Sequence, residues 1–240
     1  MILGENINIM SYEVKNYQGS SKWVIDAFTR SNGKKYLMAF TGFFLIIFLL
    51  VHLYGNLLLL KSDGGIAFNE YARSFLANLI LRIIEIFLFM GLILHITLGI
   101  IVSIQNKKAR GVGYASGFGV SSSFFSRYMT QTGGLIFIFL ALHLKTFFYT
   151  HRIMETNLSM YESVRLVFEN VYYTGFYIFV MILLSFHLMH GFQSAFQSFG
   201  LNHNKYSPLI KIFGKLYAVI VPGLFAFISF YLYYEKWTSP

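Results

Sequence analysis

Five long apolar stretches dominate the sequence and constrain its fold more than any other feature. They cover approximately residues 36–60, 79–104, 129–150, 172–196 and 212–234, and each exceeds the ~20 residues that a helix needs to cross a bilayer. Because the bilayer core offers the backbone no hydrogen-bond partners, such stretches must be helical. The sequence therefore predicts an all-α integral membrane protein with five transmembrane helices, residues 1–240 forming a single domain.

Composition supports this class and excludes several kinds of site. Hydrophobic residues make up 56% of the chain and charged residues only 12%, whereas a soluble domain carries about 25% charged residues. The chain contains no cysteine, which excludes disulfides, thiolate metal sites, iron–sulfur ligation and covalent haem attachment. The first 20 residues lack a basic segment followed by an apolar one, so we expect no cleaved signal peptide.

The distribution of positive charge predicts the orientation in the membrane. Lysine and arginine concentrate in the N-terminal flank and in the second and fourth loops. This bias predicts a cytoplasmic N-terminus, and we expect the membrane to be the bacterial cytoplasmic membrane. Residues 1–35 then form a cytoplasmic segment, with an interfacial helix over 22–30. The net charge of +9 reflects this topology, and we expect no nucleic-acid partner.

Each of the first four stretches contains one deeply placed histidine: His52, His95, His143 and His187. An imidazole inside hydrocarbon is costly and rare, so each histidine needs a partner. Four at regular intervals indicate ligands for a group held between helices, and two haems fit this pattern best. His190, three residues after His187, is the alternative fourth ligand.

An internal repeat organises these histidines. The string T-G-x5-F-L-x2-H-L occurs in the first stretch, where it contains His52, and again in the third, where it contains His143. The second and fourth stretches share H-x3-G at His95 and His187. A helical hairpin used twice predicts a four-helix bundle with a pseudo-twofold axis along the membrane normal, in which diagonal helices face each other.

Depth along the helices predicts which histidines pair. Counted from the cytoplasmic ends, His52 and His143 lie about 22 to 24 Å deep, and His95 and His187 about 15 to 18 Å deep. We therefore predict an outer pair, His52 with His143, and an inner pair, His95 with His187. Each pair is expected to ligate one haem iron.

Three segments resemble a known family. The stretches GKKYLMAFTGFFLIIFLLVHLYGNLLLL, FNEYARSFLANLILRIIEIFLFMGLILHITLGI and FHLMHGFQSAFQSFGL are similar to the membrane cytochrome b subunit of succinate dehydrogenase and fumarate reductase, of the single-chain, five-helix, di-haem type. The resemblance implies two haem b groups on the four histidines and a quinone, usually menaquinone. It also implies a flavoprotein and an iron–sulfur subunit on the cytoplasmic face. The chain would then be an electron-transfer subunit of a succinate:quinone oxidoreductase, with no catalytic residue acting on the dicarboxylate.

Other polar residues are weaker candidates. Near the outer end, Glu85 is either a proton acceptor beside a quinol or an ion pair with Arg82 that closes the helix end. Glu70 and Arg73 are further quinone candidates. Candidates for contact with haem propionates or with the iron–sulfur subunit are Ser31, Lys34, Arg127 and His190.

Two other functions remain open at this stage. The repeat and the histidines also allow a di-haem cytochrome b that serves a hydrogenase or a formate dehydrogenase. A transporter could instead use the histidines as a haem-free proton relay, but the first and third stretches contain almost no other polar residues to link them.

Overall fold

The computed structural model describes residues 30–109, 127–154, 156–201 and 203–238, and in this part of the chain all regular structure is helical. Seven helices are present there: α1 (Ser31–Leu57), α2 (Ile66–Ala77), α3 (Leu79–Ala109), α4 (Met129–His143), α5 (Met160–Phe168), α6 (Val171–Ser198) and α7 (Ser207–Thr238). A 3₁₀ turn, Leu58–Leu60, extends α1. A π-helical segment, Leu144–Tyr149, and a last turn, Thr150–Arg152, extend α4. The predicted interfacial helix lies outside the described residues except for Arg30.

Five of these segments are long and apolar enough to cross a membrane, as predicted. They cover Asn32–Leu60, Leu79–Lys108, Met129–Arg152, Val171–Ser198 and Ser207–Thr238. Their outward faces are apolar: Ile80, Phe87 and Ile93 of α3 are 67%, 57% and 63% exposed. Apolar surface on this scale is stable only against lipid or another protein. Most helices continue beyond the apolar stretches into polar residues at their ends.

The four helices that carry the histidines form a bundle in which each packs against two neighbours. Helix α1 lies beside α3 and α6, and α4 lies beside α6 and α3. The diagonals of the bundle are therefore α1 with α4 and α3 with α6. We call the end at which α1 and α4 begin the inner end and the opposite one the outer end, names that follow the predicted orientation.

Helix α7 packs outside this bundle, against α6 and α1. Ala218 of α7 is fully buried, and the hydroxyl of Tyr217 donates to the carbonyl of Ile46 at 2.6 Å. The helix continues through Pro222, which is buried. These buried contacts hold α7 against the bundle.

Two short helices cover part of the outer end. Helix α5 lies in the loop between the third and fourth spans, and it begins with a capping box in which Ser159 and Glu162 bond each other's backbone amides. Helix α2 was not predicted. It begins after Asp63, whose carboxylate accepts from the amides of Gly65 and Ala67 at 2.9 and 3.0 Å. Contacts between α2 and α5 join the two hairpin loops at this end.

Candidate cofactor-binding site

His52 and His143, the outer pair, lie on the diagonal helices α1 and α4. Their ring centroids are 5.8 Å apart, with an angle of 86° between the ring planes. Helices α1 and α4 bring them together because both helices begin at the inner end and carry the repeat string in the same register.

The repeat's phenylalanine supports each ring of the outer pair. Phe48 stacks on His52 with centroids 5.3 Å apart, and Phe139 lies against His143 at 5.6 Å. Residues four apart share one helix face, so the F-L-x2-H spacing places each phenylalanine one turn before its histidine. On α6, the hydroxyl of Tyr177 lies 3.2 Å from Nδ1 of His143. Apolar packing and one polar contact thus orient this pair.

His95 and His187, the inner pair, lie on the other diagonal, α3 with α6. Their ring centroids are 6.5 Å apart and the ring planes meet at 69°. The imidazole that faces His95 belongs to His187, whereas His190 lies one turn further toward the inner end. The role of each imidazole as a haem ligand stays a prediction.

The threonine–glycine sequence of the repeat lies against the imidazoles of the inner pair. A Cβ atom on Gly42 would lie 3.2 Å from Cε1 of His95, and one on Gly133 would lie 3.4 Å from Cε1 of His187. The absence of a side chain at these two positions lets each imidazole of the inner pair approach the neighbouring helix. Sequence analysis found the T-G string but not this function.

The H-x3-G glycines also take part in the repeated packing. A Cβ atom on Gly99 would lie 3.7 Å from Cε of Met38, and one on Gly191 would lie 3.6 Å from Cε of Met129. The two methionines occupy the same place relative to the T-G string, three residues before the threonine. The repeat therefore begins earlier than the string we recognised, and it extends to the contacts between helices.

These contacts correct the predicted separation of the two pairs. His95 lies beside Thr41, which precedes His52 by eleven residues, and the same offset separates Thr132 from His143. Eleven residues of helix span about 16 Å, whereas the predicted depths differ by only about 6 Å. The prediction was wrong because it measured each helix from the end of its apolar stretch. The helices continue past these ends, from Ser31 in α1 and to Ala109 in α3, so the ends of the apolar stretches are not a common reference for depth.

Both pairs fit a metal that has only two protein ligands. Two imidazole nitrogens on one metal lie about 4 Å apart, which corresponds to ring centroids about 6 Å apart, and the two pairs are at 5.8 and 6.5 Å. Among the described residues, no three or more His, Cys, Asp or Glu side chains form a group that could hold a metal ion. Any iron bound here would need its remaining ligands from a non-protein group, as the four nitrogens of a porphyrin provide.

One buried nitrogen of the inner pair has no partner. Among the described side chains, Nδ1 of His187 is the only buried nitrogen or oxygen without a hydrogen-bond partner. A buried polar atom of this kind is costly and requires an explanation. In His95, the equivalent nitrogen lies 3.1 Å from the hydroxyl of Thr41.

A buried lysine lies at the inner end, near the inner pair. Lys34 is 8% exposed, and its ammonium donates to the side-chain oxygen of Gln105 at 2.9 Å. A neutral amide is weak compensation for a buried charge, and an anion close by would stabilise it better. Arg127 lies just before α4 at this same end. Ser31 begins α1 there, and its side chain is not among the described parts of the structure.

Of the predicted quinone residues, Glu85 is in an ion pair and the other two are exposed. Both oxygens of Glu85 accept from Nη2 of Arg152, at 3.1 and 2.9 Å. Arg82, the partner that sequence spacing selected, is further away at 3.9 Å. Glu70 and Arg73 lie on the exposed side of α2. Ion pairing accounts for Glu85, and the three residues do not form one cluster.

Comparisons with known proteins add no family assignment: no family model, no curated protein and no solved structure matches this chain. The resemblance to the succinate dehydrogenase cytochromes therefore depends on the motifs described above. The structure itself establishes a helical chain with five candidate membrane spans and two facing histidine pairs.

Proposed function

We propose that this chain is a di-haem cytochrome b, the membrane subunit of a succinate:quinone oxidoreductase. In this role it carries electrons between an iron–sulfur subunit at the inner end and a quinone in the membrane. The observation that supports the proposal best is the pair of diagonal histidine contacts, each at the separation expected for two imidazoles on one metal.

His52 with His143 would hold the outer haem, and His95 with His187 the inner one. Bound haem supplies reversible one-electron chemistry at its iron. Two imidazoles per iron leave no open coordination position, which suits electron transfer and excludes oxygen binding. The glycines opposite the inner pair keep side chains away from it, and the apolar residues around the outer pair exclude water.

Charge at the inner end supports the predicted partners. Lys107 and Lys108 lie in the last turn of α3 at this end, and the hydrogen bond between Lys34 and Gln105 places this turn beside the start of α1 and its lysines. A basic surface of this kind suits docking of the iron–sulfur subunit, which in turn carries the flavoprotein. By the same charge rule, this end faces the cytoplasm. The proposed family places the chain in the bacterial cytoplasmic membrane.

The absorption spectrum of the purified chain tests the cytochrome assignment. We expect low-spin b-type bands on reduction and two haems per chain. His187→Leu should leave one haem per chain, whereas His190→Leu, the matched control one turn away, should leave two. A wild-type chain that lacks these bands would refute the haem assignment and would favour the proton-relay transporter instead.

Isolation of the complex from its native membrane tests the partner assignment. We expect a flavoprotein and an iron–sulfur protein to co-purify with the chain, together with succinate:quinone reductase activity. Recovery with a hydrogenase or a formate dehydrogenase would overturn the succinate assignment and leave the cytochrome assignment intact.

A further inference from the structure

The hydroxyl of Thr41 has its single proton committed to the backbone of its own helix. Oγ1 lies 2.9 Å from the carbonyl oxygen of Leu37 and 3.1 Å from that of Met38. A hydroxyl has one proton to donate and two lone pairs that accept. Since two carbonyl oxygens this close hold the hydroxyl proton, we assign the donor role in the third contact, at 3.1 Å, to Nδ1 of His95. In a neutral imidazole this arrangement places the proton on Nδ1 and leaves the lone pair of Nε2 free to bind a metal.

Thr132 occupies the equivalent position in the second copy of the repeat. Its Oγ1 lies 3.0 and 3.1 Å from the carbonyl oxygens of Tyr128 and Met129, and the residue is 6% exposed. The next residue, Gly133, faces His187 as Gly42 faces His95. The second copy therefore places an acceptor with a free lone pair next to the glycine that faces this imidazole, although Nδ1 of His187 makes no hydrogen bond in the structure.

We propose that Thr41 and Thr132 are positioning residues, which accept the Nδ1 protons of His95 and His187 and thereby set the midpoint potential of the inner haem. The part that concerns the potential rests on the proposed function. A hydrogen bond from Nδ1–H makes an imidazole a stronger electron donor to its metal. Each threonine thus favours ferric over ferrous iron and lowers the midpoint potential.

Redox titration of the purified chain tests this role. Thr41→Val and Thr132→Val remove the hydroxyl at nearly constant volume, and Thr41→Ser and Thr132→Ser retain it. We expect each valine variant to raise the midpoint potential of the inner haem by about 59 mV, a tenfold change in the ratio of the affinities for ferrous and ferric iron. The outer haem should not shift, and both serine variants should match the wild type.

A control in α7 separates this role from general packing. The hydroxyl of Ser229 is buried and donates to the carbonyl of Phe225 at 3.0 Å, so Ser229→Ala loses the same kind of backbone bond. Phe225 contacts His52 of the outer pair, so this control lies near the outer pair and not the inner one. An equal shift in this control, or equal shifts in the valine and serine variants, would overturn the proposal. An unchanged potential in Thr132→Val would overturn it for the second copy.

A measurement on the haem-free chain keeps the inference independent of the cytochrome assignment. The ¹⁵N chemical shifts of His95 report which ring nitrogen carries the proton. We expect the Nδ1–H tautomer in the wild type and in Thr41→Ser, and a mixture of tautomers in Thr41→Val. If the wild type carries its proton on Nε2, the hydrogen-bond assignment is wrong whether or not the chain binds haem.

Discussion

Removal of the buried charge at Lys34 should lower the midpoint potential of the inner haem. A positive charge stabilises the ferrous form relative to the ferric form, because the ferric form carries one more positive charge. Lys34 is 8% exposed, on the same helix as Thr41, which contacts His95. Lys34→Met deletes the charge and leaves an unbranched apolar side chain of similar length.

The structure sets the size of this effect. Lys34 precedes Thr41 by seven residues, or about 10 Å of helix, and its partner Gln105 follows His95 by ten residues, or about 15 Å. An ammonium about 12 Å from the iron contributes about 1.4 kcal/mol at an effective dielectric constant of about 20. This energy corresponds to about 60 mV for one electron.

Potentiometric titration of the two haems measures this shift, and Lys35 offers a matched control. Lys35 is the next residue on the same helix end but is exposed. The same charge in water contributes only about 0.3 kcal/mol, or about 15 mV, and salt screens it further. Lys34→Arg should retain most of the wild-type potential. Equal shifts in Lys34→Met and Lys35→Met would refute the reasoning that burial strengthens this charge.

Three further substitutions test the site and the bundle. Gly133→Leu should remove the inner haem and retain the outer one, because a Cβ at this position would lie 3.4 Å from the imidazole of His187. Gly134→Leu is the control: a Cβ there would have no neighbour within 4 Å, and the spectrum should show two haems. Arg152→Met should destabilise the bundle by about 2 kcal/mol in thermal unfolding. This loss is below the ~3–5 kcal/mol of a fully buried pair, because both side chains are 19% exposed. Adding Glu85→Gln should restore part of the lost stability. If stability is not recovered, the ion pair between Arg152 and Glu85 does not stabilise the bundle. Tyr177→Phe should raise the potential of the outer haem alone, and an unchanged value would show that its hydroxyl does not accept from the imidazole.

Hydropathy and periodicity predict the parts of this fold that depend on local chemistry. The five spans follow from apolar length, and the facing of His52 with His143 and of His95 with His187 follows from the repeat, because equal spacing on equivalent helices produces equal positions. Helix α5 also carries a local signal, because its charged and apolar residues alternate at helical spacing.

The parts that depend on contact between distant helices could not be predicted. Sequence spacing selected Arg82 for Glu85, because residues three apart share a helix face, but Arg152 reaches the carboxylate from the end of another helix. Burial of Lys34 depends on which face of α1 meets α3, and lysine at a helix start ordinarily indicates an exposed charge. Helix α2 begins at a turn formed by two glycines. Two adjacent glycines also occur in irregular loops, so the sequence does not indicate that a helix begins there.

The two copies of the repeat differ beyond the outer pair, where each helix changes its number of residues per turn in a different way. Helix α1 tightens into the 3₁₀ turn Leu58–Leu60, whereas α4 widens into the π-helical segment Leu144–Tyr149. A π-helical turn accommodates one more residue than an α-helical turn, which rotates everything after it by about 100° relative to an uninterrupted helix. Deleting one residue from this segment would turn Arg152 away from Glu85 without altering the inner end. The inner end thus keeps the twofold repeat, while the outer end consists of two structurally different halves.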